Sequence, residues 1–286
     1  MDQPKFQRPE KLGGVIGTPG KTKTIYNHTK DKKYVFMHFT DNVSAGNAAR
    51  IGTIPRKGFC CCETSNLIMR YLYEKGYPVS TNLDSGALDY ALVEKLEMAG
   101  LEIIARNVIT GGAVKRFGLP DGILMEPPAV EFNLKNDKHN DPMIPLRLFD
   151  LFYRTYDQNL MKKKFPAVPN QDELFYMLDV TEDISSHLFS YLKQKGILLL
   201  DLKIEWGQDR YGFWKVGDCI SQDEFRARET NGRLFEEAEI GTGQYQQIDL
   251  AGMTELDSGP FRRGSSQEES IQTYKRSLDA FRKAFE

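Results

Sequence analysis

The chain has 286 residues, 40% hydrophobic and 27% charged, which suffices for a substantial core and excludes a disordered or fibrous polymer. Lysine plus arginine total 38 against 40 for aspartate plus glutamate; the net charge of -2 removes the global basic footprint expected of a duplex-binding protein. No apolar run approaches the ~20 residues that span a bilayer, and the polar opening Met1-Asp-Gln-Pro-Lys-Phe-Gln-Arg-Pro9 lacks a signal-peptide core, so a cytoplasmic protein with neither membrane nor nucleic-acid partners is expected.

In chain order, residues 24–26 and 34–39 read as strands, and residues 64–75 have helical spacing through Leu67, Ile68, Tyr71 and Leu72, stopped by Gly76-Tyr77-Pro78. A strand pair is predicted at 90–96 and 102–107, separated by Glu97-Met98-Ala99-Gly100. Helices are predicted at 144–155, 171–178 and 183–195, the last ended by Gly196. Residues 230–263 are polar and glycine-rich and read as an irregular flap. A final helix starts at a capping box, Ser265 with Glu268 or Ser266 with Glu269, and carries the stripe Ile271, Tyr274, Leu278, Phe281 and Phe285, a core-packing pattern. The result is an α+β chain of two lobes, a small antiparallel one over residues 1–99 and a larger α+β one over 100–286.

Four cysteines, three of them adjacent as Cys60-Cys61-Cys62 and the fourth at Cys219, fit neither a zinc ribbon nor a disulfide framework and read as reduced, partly buried thiols. The histidines show no metal spacing.

The chemistry concentrates in Leu198-Leu-Leu-Asp201-Leu-Lys203-Ile-Glu205-Trp-Gly207. A side-chain period of two puts Asp201, Lys203 and Glu205 on one face at ~7 Å intervals, with Leu202, Ile204 and Trp206 beneath. A polar turn, residues 207–212, leads to a return strand, residues 213–218, and a turn centred there sets Asp218 across the ladder to within about two residues of Asp201. Carboxylates around a lysine suit magnesium beside a phosphate. Near the start, Gly20-Lys21-Thr22 has the ending of a P-loop, but the required earlier glycine falls on Val15 and the following residues are β-like, so that motif fails. A glycine-rich hairpin that closes over phosphates, with Lys21 and Lys23 on one face, remains open beside an ordinary glycine turn.

Further segments carry a resemblance. Phe39-Thr-Asp41-Asn-Val-Ser44-Ala45-Gly46-Asn47-Ala-Ala-Arg50, Arg106-Asn107-Val-Ile-Thr-Gly111-Gly112-Ala-Val-Lys115-Arg116, Pro127-Pro-Ala-Val-Glu131-Phe-Asn-Leu-Lys135-Asn136-Asp137 and Asp141-Pro142-Met143, with Gly20-Lys-Thr-Lys23, the 201–205 strand and residues 218–226, closely resemble the phosphoribosylaminoimidazole-succinocarboxamide synthase (SAICAR synthetase) family of de novo purine synthesis. The motifs run in order over about residues 12 to 229.

The resemblance implies a two-lobed fold with ATP in the cleft under a kinase-like glycine hairpin. It implies a ligase that joins L-aspartate to the carboxylate of 5-amino-1-(5-phospho-ribosyl)imidazole-4-carboxylate through an acyl phosphate, with ATP and Mg2+ as cofactors. In that frame Gly20, Lys21, Lys23 and Lys135 line the ATP site, and Lys95, Glu97 and Met98 edge the adenine. Glu205 and Asp218 carry magnesium. Asp201 and Lys203 stand beside the reacting carboxylate, with Asp223 as a further catalytic candidate. Asp41, Ser44, Ala45, Gly46, Asn47, Arg106, Gly112 and Arg226 face the ribonucleotide. Partners are small molecules only, and a homo-oligomer is left open.

The chain departs from the family where Gly112 replaces a serine that helps hold the substrate phosphate, where Ala227-Arg228-Glu229 follows Arg226, and where Cys219 replaces an acidic residue common in bacterial members. These departures leave open an amide ligase for a different nucleotide or heteroaromatic acid, and the phosphate apparatus also suits a small-molecule kinase. A non-catalytic scaffold is disfavoured because Lys21, Lys203, Glu205 and Asp218 are all present.

Overall fold

The computed structural model of the chain describes residues 7–45, 50–136, 139, 141–149, 151 and 166–286. Five strands, β1 (Leu12–Val15), β2 (Lys23–His28), β3 (Tyr34–Phe39), β6 (Asn82–Leu83) and β7 (Tyr90–Glu94), make an antiparallel sheet in the order β1-β2-β3-β7-β6. Between β3 and β6 lie the β4 (Asn42–Ala45) and β5 (Arg50–Thr53) hairpin and helix α1 (Lys57–Glu74). The expected strands at 24–26 and 34–39 are present, and the helix starts at Lys57 rather than at Thr64. Its start is set from outside the helix: the Asp41 carboxylate accepts the backbone N–H of Arg56 at 3.1 Å and of Gly58 at 3.0 Å, satisfying donors that a helix leaves orphaned. The three adjacent cysteines therefore sit inside α1, buried and unpaired.

The second sheet is built around β10 (Ile197–Gln208). On one side lies β8 (Glu97–Val108), followed by β9 (Leu124–Leu134), with the short helix α2 (Gly112–Phe117) between those two in sequence. On its other side β10 pairs first with β12 (Phe225–Glu229) and then with β11 (Trp214–Gly217). The expected turn at Glu97-Met98-Ala99-Gly100 is instead strand, because Met98 pairs with Gly207 and Glu97 with Gln208, and the expected lobe boundary after residue 99 falls inside β8. Cross-strand pairing overrides the local glycine signal.

Helix α3 (Gln171–Gln194) covers the sheet, one helix where two were expected. Its start is a capping box between Asn170 and Glu173. Its middle is held to the sheet by buried Thr181, which accepts the Trp206 indole N–H at 3.2 Å, and by buried Ser185, which donates to Asn107 at 3.0 Å. Of the helix expected at 144–155, Leu146–Leu148 is a 3-10 turn and residues 152–165 lie outside the described residues. The expected flap at 230–263 is ordered structure: hairpin β13 (Glu236–Ile240) and β14 (Gly243–Gln247), strand β15 (Thr254–Glu255) beside β12, and helix α4 (Gly259–Arg263). The last helix, α5 (Gln267–Phe285), is capped by Ser266 and packs on α1, burying Tyr274, Leu278 and Phe281. No helix of the described residues is long and apolar enough to cross a membrane.

A Cβ on Gly58 would lie 2.2 Å from the carbonyl oxygen of Phe39, whereas one on Gly14 would meet nothing within 4 Å. Gly58→Ala is expected to lose about 2 kcal/mol or more of unfolding free energy, with Gly14→Ala changing it by about 0.5 kcal/mol or less. Urea midpoints of the two variants check this, and equal midpoints would contradict the packing.

Candidate functional site

The site begins with a register match. Asp201 pairs with Arg106 and Glu205 with Glu102, so two antiparallel strands place polar groups on the same face at both positions. Below that face Leu202, Ile204 and Trp206 are fully buried, as are Leu101 and Ile103. Asp201 and Glu205 stand about 13 Å apart along the strand, with Lys203 between them.

At the Glu205 end, the Lys203 ammonium lies 3.3 Å from both Glu205 and Glu102, and Lys135 bonds Glu205 as well. Burial pushes the Glu205 carboxyl up, but Lys135 and Lys203 reverse this and hold it at about 2. Burial likewise works against the charge on Lys203, and Glu205 and Glu102 overcome it, raising its pKa.

The gap between β12 and β11 along the edge of β10 is filled by residues 218–224, anchored where the Lys203 N–H donates to the Glu224 carbonyl at 2.8 Å. Asp218 adopts a left-handed conformation, φ 52°, directly after the Gly217 that faces Glu205. It therefore lies beside Glu205 rather than across from Asp201 as expected. The hairpin register is three residues away from the expected one, and Asp201 takes arginines as cross-strand neighbours instead.

Lys23, at the start of β2, reaches this loop: its ammonium lies 2.8 Å from Asp218, 3.0 Å from Glu224 and 2.9 Å from the Cys219 sulfur. Burial opposes its charge, but the three neighbours raise its pKa well above the usual value. Asp218 lies above the ordinary carboxylate range because burial and the nearby Glu205 and Glu224 outweigh Lys23. Glu224 is held at about 2, as Lys23 and Lys203 overcome its burial. Three ammonium groups (Lys23, Lys135, Lys203) thus face four carboxylates (Glu102, Glu205, Asp218, Glu224). The surplus negative charge and the oxygen-rich donors fit a hard divalent cation held by one or two carboxylates. Asp218, Cys219 and Glu224 also bring three ligand atoms within 4.8 Å of one another.

At the Asp201 end, one carboxylate holds two arginines: Arg106 at 3.1 Å, and Arg226, whose Nε donates at 2.9 Å. Arg106 and Arg116 converge on buried Glu131. Gly111 is required here, since with φ 57° its Cβ would lie 2.5 Å from the Arg226 guanidinium. Gly112 opens α2 and a Cβ there would meet no atom within 4 Å.

Other expected site residues fall at the margins of these two clusters. Gly20 donates its N–H to the Lys23 carbonyl at 2.8 Å, and Lys21 is exposed in the same turn. Lys95 and Glu97 are exposed where β7 passes into β8, and Met98 packs over Gly207 and Gly217, whose added Cβ atoms would lie 2.9 and 3.2 Å from it. Asp41 uses both carboxylate oxygens at the start of α1. Ser44 and Ala45 belong to β4, and Gly46 and Asn47 lie outside the described residues. Asp223 turns away from Lys23: it bonds the fully buried Lys57 ammonium and accepts the Tyr274 hydroxyl at 2.7 Å.

Sequence reasoning missed Glu102, Glu224, Lys57 and Glu131 as members of these networks. Glu102 was within reach, because it alternates with buried Leu101 and Ile103 four residues before Arg106, mirroring Asp201 and Glu205.

A family model described as SAICAR synthetase matches residues 17–239. The phosphoribosylaminoimidazole-succinocarboxamide synthase of Methanopyrus kandleri is 31% identical over 213 residues, covering 74% of this chain and 80% of that protein. The enzyme of the same name from Streptococcus pyogenes serotype M18 is 33% identical over 213 residues, 74% of this chain and 84% of its own. Among solved structures, a SAICAR synthetase (type 2) in complex with ADP superimposes with a TM-score of 0.73 at 26% identity, over 93% of this chain and 97% of that one.

The depressed Glu205 and Glu224 carboxyls make the fold sensitive to acid. Their folded pKa values near 2 lie below the unfolded value of about 4.3, so their contribution is complete above that value and is lost as pH falls toward 2. Melting temperature is expected to fall between about pH 5 and pH 2, and Glu205→Gln to flatten part of that fall. An unchanged acid limb in the variant would remove Glu205 as a cause.

Proposed function

The chain belongs to the SAICAR synthetase family, and on that premise we propose that it joins L-aspartate to the carboxylate of 5-amino-1-(5-phospho-ribosyl)imidazole-4-carboxylate, with ATP converted to ADP and phosphate. The observation that carries the site assignment is the contact of Lys23, from the glycine-turn end of β2, with Asp218 beside the Lys203 and Glu205 pair of β10. It joins a cationic phosphate-facing element to a carboxylate set with surplus negative charge.

A carboxylate is a poor electrophile because it is already an anion, so one of its oxygens must become a leaving group. In this reading the substrate carboxylate oxygen attacks the γ-phosphorus of ATP and ADP departs. The aspartate amine then attacks the acyl carbon, phosphate leaves, and the amine gives up a proton. Lys23 and Lys21 hold phosphate oxygens, and Lys203 screens the incoming carboxylate from the triphosphate. Glu205 and Asp218 would hold Mg2+, which when bound neutralises charge on the transferring phosphoryl group.

Arg106 and Arg226, aligned by Asp201, present donor forks for the ribonucleotide phosphate. With Gly112 in place of a hydroxyl-bearing residue, the α2 start offers only its backbone N–H. The part that carries the first sheet, through β7, acts as the ATP-covering lobe and the part built on β8 and β10 as the substrate and metal lobe, with Lys95, Glu97 and Met98 along the adenine edge. In this reading Asp41 and Ser44 serve the substrate side, Ala45, Gly46 and Asn47 are assigned to it by the family resemblance alone, and Lys135 lines the cleft.

The test is mass spectrometry of products after incubation with ATP, Mg2+, L-aspartate and the imidazole carboxylate nucleotide. The succinocarboxamide with ADP and free phosphate is expected; aspartate-independent turnover, or a phosphorylated stable product, overturns the reading. Lys203→Ala is expected to lower kcat by about 100-fold or more. Arg226→Ala is expected to raise KM for the nucleotide acid well beyond its effect on KM for ATP. A uniform change in both constants would argue against the arginine assignment.

A further inference from the structure

Helix α1 meets residues 218–224 with buried polar side chains that take no part in the chemistry above. Lys57, Thr64 and Ser65 share one helix face by their spacing, and each holds the loop. The Lys57 ammonium pairs with Asp223, Thr64 accepts from the Gln222 side-chain amide at 2.8 Å, and Ser65 accepts the Ile220 N–H at 3.3 Å. Tyr274 of α5 donates to the other Asp223 oxygen at 2.7 Å.

A lysine only 1% exposed is a costly way to fill this space, because a well-packed apolar pair in place of a buried ion pair often leaves stability no lower. What the ammonium adds is direction. It donates to the Asn42 carbonyl at 3.0 Å while pairing with Asp223, so two segments far apart in the chain are fixed to one point. Asp223 is turned toward α1, and the next residue, Glu224, turns the other way, to Lys23 at 3.0 Å and Ser221 at 2.6 Å. On that side Asp218 and Glu224 are held by Lys23, the group that the ligase reading gives to ATP phosphate. With Lys23 engaged by phosphate, the α1 contacts and the backbone bond between Lys203 and Glu224 are what keep the loop in place.

We propose that Lys57 is a positioning residue for the metal ligands: through Asp223 it fixes the 218–224 loop so that the Asp218 carboxylate stays beside Glu205, without itself touching substrate, nucleotide or ion. The proposal rests on the assignment of Glu205 and Asp218 to Mg2+ in the ligase reading, and ion binding is measurable without turnover.

The experiment measures binding of Mn2+, which shares the oxygen preference of Mg2+, from the loss of its free-ion electron paramagnetic resonance signal. Wild type is compared with Lys57→Met, Tyr274→Phe and the double variant Lys57→Met/Asp223→Asn, with melting temperature and Mg2+-dependent product formation followed in parallel. Lys57→Met is expected to weaken Mn2+ binding about tenfold or more and to raise the Mg2+ requirement by a similar factor. Tyr274→Phe loses only a hydroxyl from a packed ring; it is expected to weaken Mn2+ binding about threefold and keeps the test usable where Lys57→Met does not fold. The double variant leaves no unpaired buried charge, so its melting temperature is expected to recover toward wild type while Mn2+ affinity stays weak. Recovery of both together, or Mn2+ affinity unchanged in Lys57→Met and Tyr274→Phe, assigns the network to stability alone and overturns the proposal. So does the absence of Mn2+ binding in wild type. Lys57-dependent Mn2+ affinity in a protein that forms no succinocarboxamide keeps the positioning role and removes the ligase reading; succinocarboxamide formation with Lys57-independent Mn2+ binding does the reverse.

Discussion

The register between β8 and β10 is the constraint on which the rest depends. Because Arg106 faces Asp201 and Glu102 faces Glu205, one strand pair separates an arginine-rich end from a lysine and carboxylate end. A slip of one residue would turn these side chains into the apolar layer that holds Leu202, Ile204 and Trp206. The penalty for burying unpaired charge is large, so the packing of the underside specifies the electrostatics of the upper face. The Trp206 to Thr181 and Asn107 to Ser185 bonds fasten α3 to that underside and guard the register from below.

Long-range contacts then complete the site. Lys23 comes from the first sheet, residues 218–224 fill the break between β12 and β11, and Tyr274 of α5 meets Asp223 on the far side of the same loop. Asp223 and Glu224 are adjacent but face different partners, Lys57 with Tyr274 and Lys23 with Ser221. The loop is thus held by ion pairs on both sides, with the buried Lys57 charge satisfied by Asp223 and by the Asn42 carbonyl at 3.0 Å.

Much of this was legible in the sequence. Strict alternation from Asp201 to Trp206 gave the functional face because its period is local. The strand at 34–39 and the stripe of α5 were readable for the same reason. The Asp218 register was not, because it depends on where the hairpin turns and on a left-handed residue that no local pattern announces. The true start of α1 was hidden too: its cap is Asp41, far upstream in the chain. Glu97 to Gly100 looked like a turn because the glycine signal is local while the pairing with Gly207 and Gln208 is not. Glu224 passed unnoticed because its role depends on Lys23 arriving from the other sheet.

The run of three cysteines in α1 has a practical bearing. Cys60, Cys61 and Cys62 are at most 2% exposed, and burial raises the thiol pKa of each, that of Cys60 to about 11. In the folded chain they are neither nucleophilic nor reachable by an alkylating reagent. They become so when the contact between α1 and its neighbours opens, which makes them a built-in reporter: the rate of their modification measures how often that seam breathes.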